Sequence, residues 1–304
     1  MRRSTAVSRL DDEDPNLPVR REFLKGALRC FLLPALSSPW LVACGGTSDS
    51  VVAPTPRLAS VNNFRDVAGA DDQDAYRTSS GKKLSRGVIY RSNVLTPSPS
   101  DLATLNTLDI VAVYDLRTPG EIAQTADILP QGASYLNINI AGTANTPTPI
   151  LSSVAETVAE MEAAYQTFVT DSGTRGRLAQ LFRALATTNG PQLYHCTGGK
   201  DRTGWATAVL LSLAGVSQDV VMQDYLLTNT YSAASIQAFY QAMVTAYGQA
   251  FADIYIPTQE AEESYLTAAF DQVTASYGSM TNYITNGLGL DASTQLQLIN
   301  NLVA

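Results

Sequence analysis

Histidine is nearly missing from this 304-residue chain. His195 stands alone, with three cysteines, Cys30, Cys44 and Cys196, as the other soft ligands. So thin a supply offers no His/Cys cluster for a zinc site. Three cysteines, two of them close to the N-terminus, also exclude a disulfide framework. Positive charge is scarce as well. Twenty Lys and Arg stand against 28 Asp and Glu, a formal net charge of −8, which argues against nucleic acid as a partner. From Ala184 to the C-terminus, 121 residues, the only cations are Lys200 and Arg202. Apolar residues are plentiful by contrast. At 45% hydrophobic, the chain can build the core of one large domain.

Residues 1–43 read as an address. A twin-arginine pair, Arg20-Arg21, is followed by Phe23, Leu24 and Lys25, then by an apolar stretch over 27–41. Arg29, Pro34 and Pro39 interrupt that stretch, which is too short and broken to stay in a bilayer as a helix but suits a signal-peptide core. It resembles a bacterial twin-arginine export signal. Leu41-Val42-Ala43-Cys44 resembles a lipoprotein processing box, in which Cys44 is acylated and becomes the mature N-terminus; the alternative is a plain signal peptide that contains a Cys. Removing residues 1–43 takes away seven cations and five anions and leaves 13 against 23, a net charge of −10. Residues 44–57 then read as a flexible tether and 58–304 as the catalytic domain. These features imply an exported, periplasmic or cell-surface lipoprotein, held to the membrane by acyl chains rather than by a basic patch.

In the body, apolar and β-branched runs end in polar residues at three places. Residues 87–90 lead into Arg91-Ser92, 110–114 into Asp115-Leu116-Arg117, and Leu193-Tyr194 into His195-Cys196. A fourth strand is expected over 135–140. Helical patterns over 101–107, 154–169, 176–186 and 203–213 intervene. Strands alternating with helices predict an α/β domain with a mainly parallel central sheet flanked by helices. In such sheets functional residues gather beyond the carboxyl ends of strands, where the three polar endings fall. From Ser217 onward the chain reads as helical and rich in tyrosine, either packed on the body or forming a lid over the site.

The chemistry concentrates in His195-Cys196-Thr197-Gly198-Gly199-Lys200-Asp201-Arg202-Thr203-Gly204. A strand ends before this loop and an apolar helix begins after it, so successive backbone N–H groups form an anion cradle at a helix N-terminus. Gly198 and Gly199 let the main chain curl round a tetrahedral oxyanion. Arg202, five residues beyond Cys196, can grip two phosphate oxygens at once. The same field favours the thiolate of Cys196, the nucleophilic form. Thr203 can donate its hydroxyl to the sulfur, and His195 orients the loop. A nucleotide-binding Walker loop needs Gly five residues before Gly199 and Ser or Thr after Lys200; Tyr194 and Asp201 stand there instead.

The loop resembles the Cys-x5-Arg loop of the protein tyrosine phosphatase superfamily, and its Gly-Lys-Asp-Arg-Thr-Gly form is similar to that of bacterial tyrosine and phosphoinositide phosphatases. Asn63-Phe64-Arg65-Asp66-Val67-Ala68-Gly69, Tyr90-Arg91-Ser92, Asp115-Leu116-Arg117-Thr118 with Glu121, and Asp224 to Asn229 resemble further pieces of that family, in order. The resemblance implies a Cys-dependent phosphatase fold with a C-terminal helical lid. It also implies a metal-free, cofactor-free site in which Thr197, Gly198, Gly199, Lys200, Thr203 and Gly204 bind phosphate, with Arg65, Asp66 and Arg117 in support. Expected substrates are phosphotyrosine, with phosphoserine, phosphothreonine and phosphoinositides in range, since Lys200 beside Arg202 suits a polyanionic head group. The leaving oxygen needs a proton donor. Asp115, at a strand end, and Asp201, in the loop, are the candidates. We favour Asp115, because Asp201 can instead brace Lys200 or the second-step water; Asp115 read as a structural cap is the alternative. Asp66 reads as structural. Competing functions are an extracytoplasmic inositol polyphosphate phosphatase and a lipoprotein that binds phospholigands without turnover.

Overall fold

The computed structural model describes residues 52–70, 73–145 and 150–304. Residues 1–51, with the export signal and Cys44, lie outside the described residues. Among those described, no helix is long and apolar enough to cross a membrane.

Five strands form one sheet in the order β1-β2-β5-β3-β4: β1 Arg65–Asp66, β2 Ile89–Ser92, β3 Ala112–Asp115, β4 Ser134–Asn137 and β5 Gln192–His195. β1 pairs antiparallel with β2, and all other pairs are parallel. Every residue of β2, β3 and β5 is buried, as expected of parallel strands covered on both faces. Successive side chains alternate between those faces. Ile89, Ala112, Tyr114 and Tyr194 join the larger apolar core, while Tyr90, Val113 and Leu193 join a smaller one with Leu105 and Ile110. In β4, at the edge, Tyr135 and Leu136 are each 42% exposed.

The helices are α1 Pro99–Asn106, α2 Pro119–Gln124, α3 Val154–Thr170, α4 Ser172–Thr187, α5 Asp201–Leu213, α6 Gln218–Tyr231, α7 Ala233–Tyr247, α8 Gln249–Tyr255, α9 Glu263–Tyr277, the single turn α10 Met280–Asn282 and α11 Ala292–Leu302. Local chemistry sets their starts. α2 opens on a capping box: the Thr118 hydroxyl accepts the Glu121 N–H, and the Glu121 carboxylate accepts the Thr118 N–H. α4 begins at Ser172, one turn before the expected 176, because the Asp171 carboxylate accepts the Thr174 N–H.

α5 runs buried from Thr203 to Leu211. Its Trp205 packs against Phe270 and Tyr283 at ring separations of 5.9 and 5.8 Å, and truncating such a residue costs on the order of 3–5 kcal/mol. The helix that carries the loop is therefore fixed from all sides. α7 is its opposite: none of its residues is buried. It turns at Gly248, where φ is +89°, into α8, and Ser235 and Ile236 of α7 line the mouth of the cleft described next.

Candidate active site

β5 ends at His195 and α5 begins at Asp201, so residues 196–200 must reverse direction in the space of one turn. Gly199 makes this feasible. Its φ is +69°, and a Cβ there would lie 2.4 Å from the Ser92 carbonyl oxygen, so no other residue fits without strain. The Gly199 carbonyl is pinned by two donors, Asn63 Nδ2 and Arg91 Nη2, both at 2.7 Å. Across a trans peptide the next N–H points the opposite way, which turns the Lys200 amide away from those donors.

The pinning groups are themselves fixed by a buried ion triad. Arg65 Nε lies 3.1 Å from Asp224 Oδ1, and Arg91 Nη1 lies 3.0 Å from Oδ2. Arg65 also donates to the side-chain oxygen of Asn63. Burial works against the Asp224 charge, but the two guanidiniums outweigh it and hold the carboxyl below its usual range. β1, β2 and α6 are joined to the loop through these contacts.

Cys196 is a free thiol, 2% exposed, at the floor of a cleft of about 340 Å³, a volume within the range of small-molecule sites. Thr197, Gly198, Lys200, Asp201 and Arg202 line the same cleft. Arg202 meets Glu121 of α2 in a fork-to-fork pair, and Glu121 also accepts the Thr197 hydroxyl at 2.6 Å. Burial opposes the Arg202 charge, but Cys196 and Glu121 outweigh it and raise its pKa above the ordinary arginine value. Burial likewise disfavours the Glu121 carboxylate, but Arg202 and Thr197 prevail and lower its pKa well below the ordinary value.

The two aspartates expected as proton donors part company. Asp115 is fully buried, and Arg117 takes both its oxygens at 2.9 Å while Tyr135 donates to Oδ2 at 2.8 Å. It does not line the cleft, and our preference for it is corrected: the strand end is occupied by a structural ion pair. Asp201 does line the cleft, with its side chain 33% exposed. Its Oδ1 receives the Tyr165 hydroxyl at 3.0 Å and lies 3.0 Å from Lys200 Nζ.

The remaining expected residues divide. Asp66 accepts the N–H groups of Ala68 and Gly87. His195 lies behind the loop, with Nδ1 3.2 Å from the Cys196 carbonyl oxygen and Nε2 3.2 Å from Asp127 Oδ2. Gly204 is not part of the cradle, because its N–H is donated to the Lys200 carbonyl within α5. The Thr203 hydroxyl is buried and makes no hydrogen bond to the thiol. Lys200 is buried beneath the ring of Tyr265, 5.1 Å from its centroid, without an aligned hydrogen-bond partner.

Asp115, Asp127 and His195 bring ligand atoms within 4.8 Å of one another, the one such metal-like group among the described residues. A cation already stands there, since Arg117 Nη2 lies 2.9 Å from Asp115 and 2.8 Å from Asp127. Sequence reasoning missed the roles of Glu121, Asp127 and Tyr165. Glu121 alone carried a signal, as the acidic third residue of a helix three positions after Thr118.

A family model described as the tyrosine phosphatase family matches residues 56–304. A protein of Cupriavidus necator, named as a candidate tyrosine-protein phosphatase, is 32% identical over 263 residues, covering 84% of this chain and 96% of that one. The triple specificity protein phosphatase PtpB of Mycobacterium tuberculosis is 27% identical over 276 residues, covering 76% of this chain and 93% of its own. A tyrosine-protein phosphatase of Nostoc commune is 32% identical over 136 residues, 43% of this chain and 45% of that one. The family match takes in the sheet, the loop and the helices that follow it, and on that evidence the chain belongs to the tyrosine phosphatase family and is an enzyme of the protein-tyrosine or dual-specificity type.

Proposed function

We propose that this phosphatase cleaves phosphate monoesters, phosphotyrosine first among them, through a phosphocysteine on Cys196. The observation that carries the proposal is that Cys196, Asp201 and Arg202 line one cleft. The thiolate attacks phosphorus, an S–P bond forms, and the P–O bond to the substrate breaks with its electron pair on the leaving oxygen. Asp201 passes a proton to that oxygen. A water then attacks phosphorus, Asp201 takes back a proton, and the thiolate leaves.

Arg202 holds the phosphoryl oxygens throughout. Glu121 occupies the Nη1–Nη2 edge of its guanidinium, which leaves the Nε–Nη2 edge as a second fork for two phosphate oxygens. Loop N–H groups complete the cradle as charge develops.

Substrate breadth follows from Lys200. The Lys200 ammonium, buried in the loop 3.0 Å from Asp201 but without an aligned hydrogen bond, supports action on phosphoinositides or inositol phosphates, whose second phosphate supplies a further acceptor. PtpB, a relative over most of its length, is named for triple specificity, which favours the same breadth. Export and acylation at Cys44 place the enzyme outside the cytoplasm, tethered to a membrane. Loss of palmitate labelling in Cys44→Ser cells tests that part; persistent labelling would overturn it.

The mechanism is tested by vanadate-sensitive phosphate release from an aryl phosphate and by acid-trapping of a labelled phosphoenzyme. Wild type should turn over and trap label, and Cys196→Ser should do neither. A Cys196→Ser protein with full activity would overturn the mechanism.

A further inference from the structure

A proton donor must hold its geometry. Asp201 is the first residue of α5, lines the cleft and is one-third exposed, where a carboxyl can swing into water. One buried group restrains it. Tyr165, in the middle of α3, is 0% exposed and donates to Asp201 Oδ1 at 3.0 Å. The Lys200 ammonium lies as close, but without hydrogen-bond alignment. Tyr165 is thus the one side chain that hydrogen-bonds Asp201 among the described residues.

Tyr165 is itself directed. Its hydroxyl lies 2.7 Å from that of Tyr225 on α6. Each phenol has one proton, and the carboxylate oxygen only accepts. The Tyr165 proton therefore points at Asp201, and the lone pair behind it receives the Tyr225 proton. The order Tyr225 to Tyr165 to Asp201 is fixed. Burial, with the charge of Asp201 added, pushes both phenols well above the usual tyrosine range, so they keep their protons. Gly204 makes room for this chain: a Cβ there would stand 3.1 Å from Tyr225 Cδ2. The ring of Tyr165 is wedged between Phe168, Tyr225 and Tyr265 at centroid distances of 5.4 to 6.0 Å, so its hydroxyl has little freedom to wander.

We propose that Tyr165, directed by Tyr225, is the positioning residue of the proton-transfer step, anchoring Asp201 through Oδ1 so that Oδ2 presents the proton to the leaving oxygen. The proposal rests on the assignment of Asp201 as the proton donor. Tyr165 touches no substrate and acts through Asp201 alone.

The test uses leaving groups. 4-Nitrophenolate departs with little help, whereas phenolate needs its proton, and general acid catalysis is worth roughly 10²–10⁴ in rate when fully placed. In Tyr165→Phe, kcat/KM for phenyl phosphate should fall about tenfold while that for 4-nitrophenyl phosphate stays within about twofold, a partial loss on that scale. Tyr225→Phe, which keeps the direct bond, should shift the ratio in the same direction by less, and it carries the test if Tyr165→Phe fails to fold. In an Asp201→Asn background, Tyr165→Phe should leave the ratio unchanged, as expected of residues acting as one unit. Equal losses on both esters, or a further shift in the Asp201→Asn background, would overturn the positioning role. An Asp201→Asn enzyme that itself shows no leaving-group bias would overturn the assignment of the donor instead.

Discussion

Arg202 meets Glu121 edge to edge, with Nη1 2.7 Å from Oε2 and Nη2 2.6 Å from Oε1. One carboxylate on a capped helix thus sets the attitude of the guanidinium before any phosphate arrives. Glu121 does this from within its own capping box, so the helix start and the phosphate clamp are a single construction.

Glu121→Gln removes one acceptor and the charge. Steady-state kinetics on an aryl phosphate should show kcat/KM lower by about ten- to a hundredfold, the cost of a misplaced oriented clamp. Stability responds to pH with a definite sign. The folded-state pKa of Glu121 lies below its ordinary value of 4.5, so its contribution is complete above that pH and is lost as pH falls below it. The gap in urea midpoint between wild type and Glu121→Gln should therefore close on acidification from pH 7.

Asp224→Asn leaves Arg65 and Arg91 buried without a counter-charge. Breaking such a pair costs about 3–5 kcal/mol. In a domain of this size the melting temperature should drop on the order of 10 °C, which calorimetry will read. Activity should fall too, because Arg91 also holds the Gly199 carbonyl.

The two loop glycines should behave differently. Ala at 199 meets the Ser92 carbonyl and keeps a positive φ, whereas a Cβ at 198 meets nothing within 4 Å. Thermal melts should show Gly199→Ala destabilised by about 2 kcal/mol or more, given the left-handed backbone cost of roughly 1–2 kcal/mol plus the clash. Gly198→Ala should stay within about 0.5 kcal/mol of wild type, as at other unconstrained sites.

Asp115→Asn should act on the fold and not on the chemistry. Protease resistance should fall as Arg117 loses one of its two buried carboxylate partners. The ratio of rates on phenyl and 4-nitrophenyl phosphate should stay at the wild-type value in the folded fraction, in contrast with Asp201→Asn.

Four of the five strands and the loop were legible in the sequence because their signals are local; β1, two residues long, carried none. Buried runs such as 112–114 have no polar face to confuse them, and Cys196 to Arg202 is contiguous. What escaped is what depends on side chains meeting across elements. Asp115 was misread because the end of a central strand is where functional groups gather, yet Arg117, two residues on, folds back and claims both its oxygens. Tyr165 has the spacing of any core residue of an amphipathic helix; nothing in its neighbourhood reveals that Asp201, 36 positions later, lies beside its hydroxyl. Gly204 looked like another cradle residue because it follows the motif, and only the ring of Tyr225 explains it.

The pairing of an acidic chain with two cations in its last 121 residues bears on how substrate arrives. A net charge of −8 repels a phosphorylated, polyanionic ligand over long range at low salt, and salt confines that repulsion to the Debye length, about 8 Å at physiological ionic strength. Long-range steering therefore works against encounter, and attraction begins only at the cleft mouth. Added salt should speed association, the reverse of the dependence seen where a basic surface draws its ligand in.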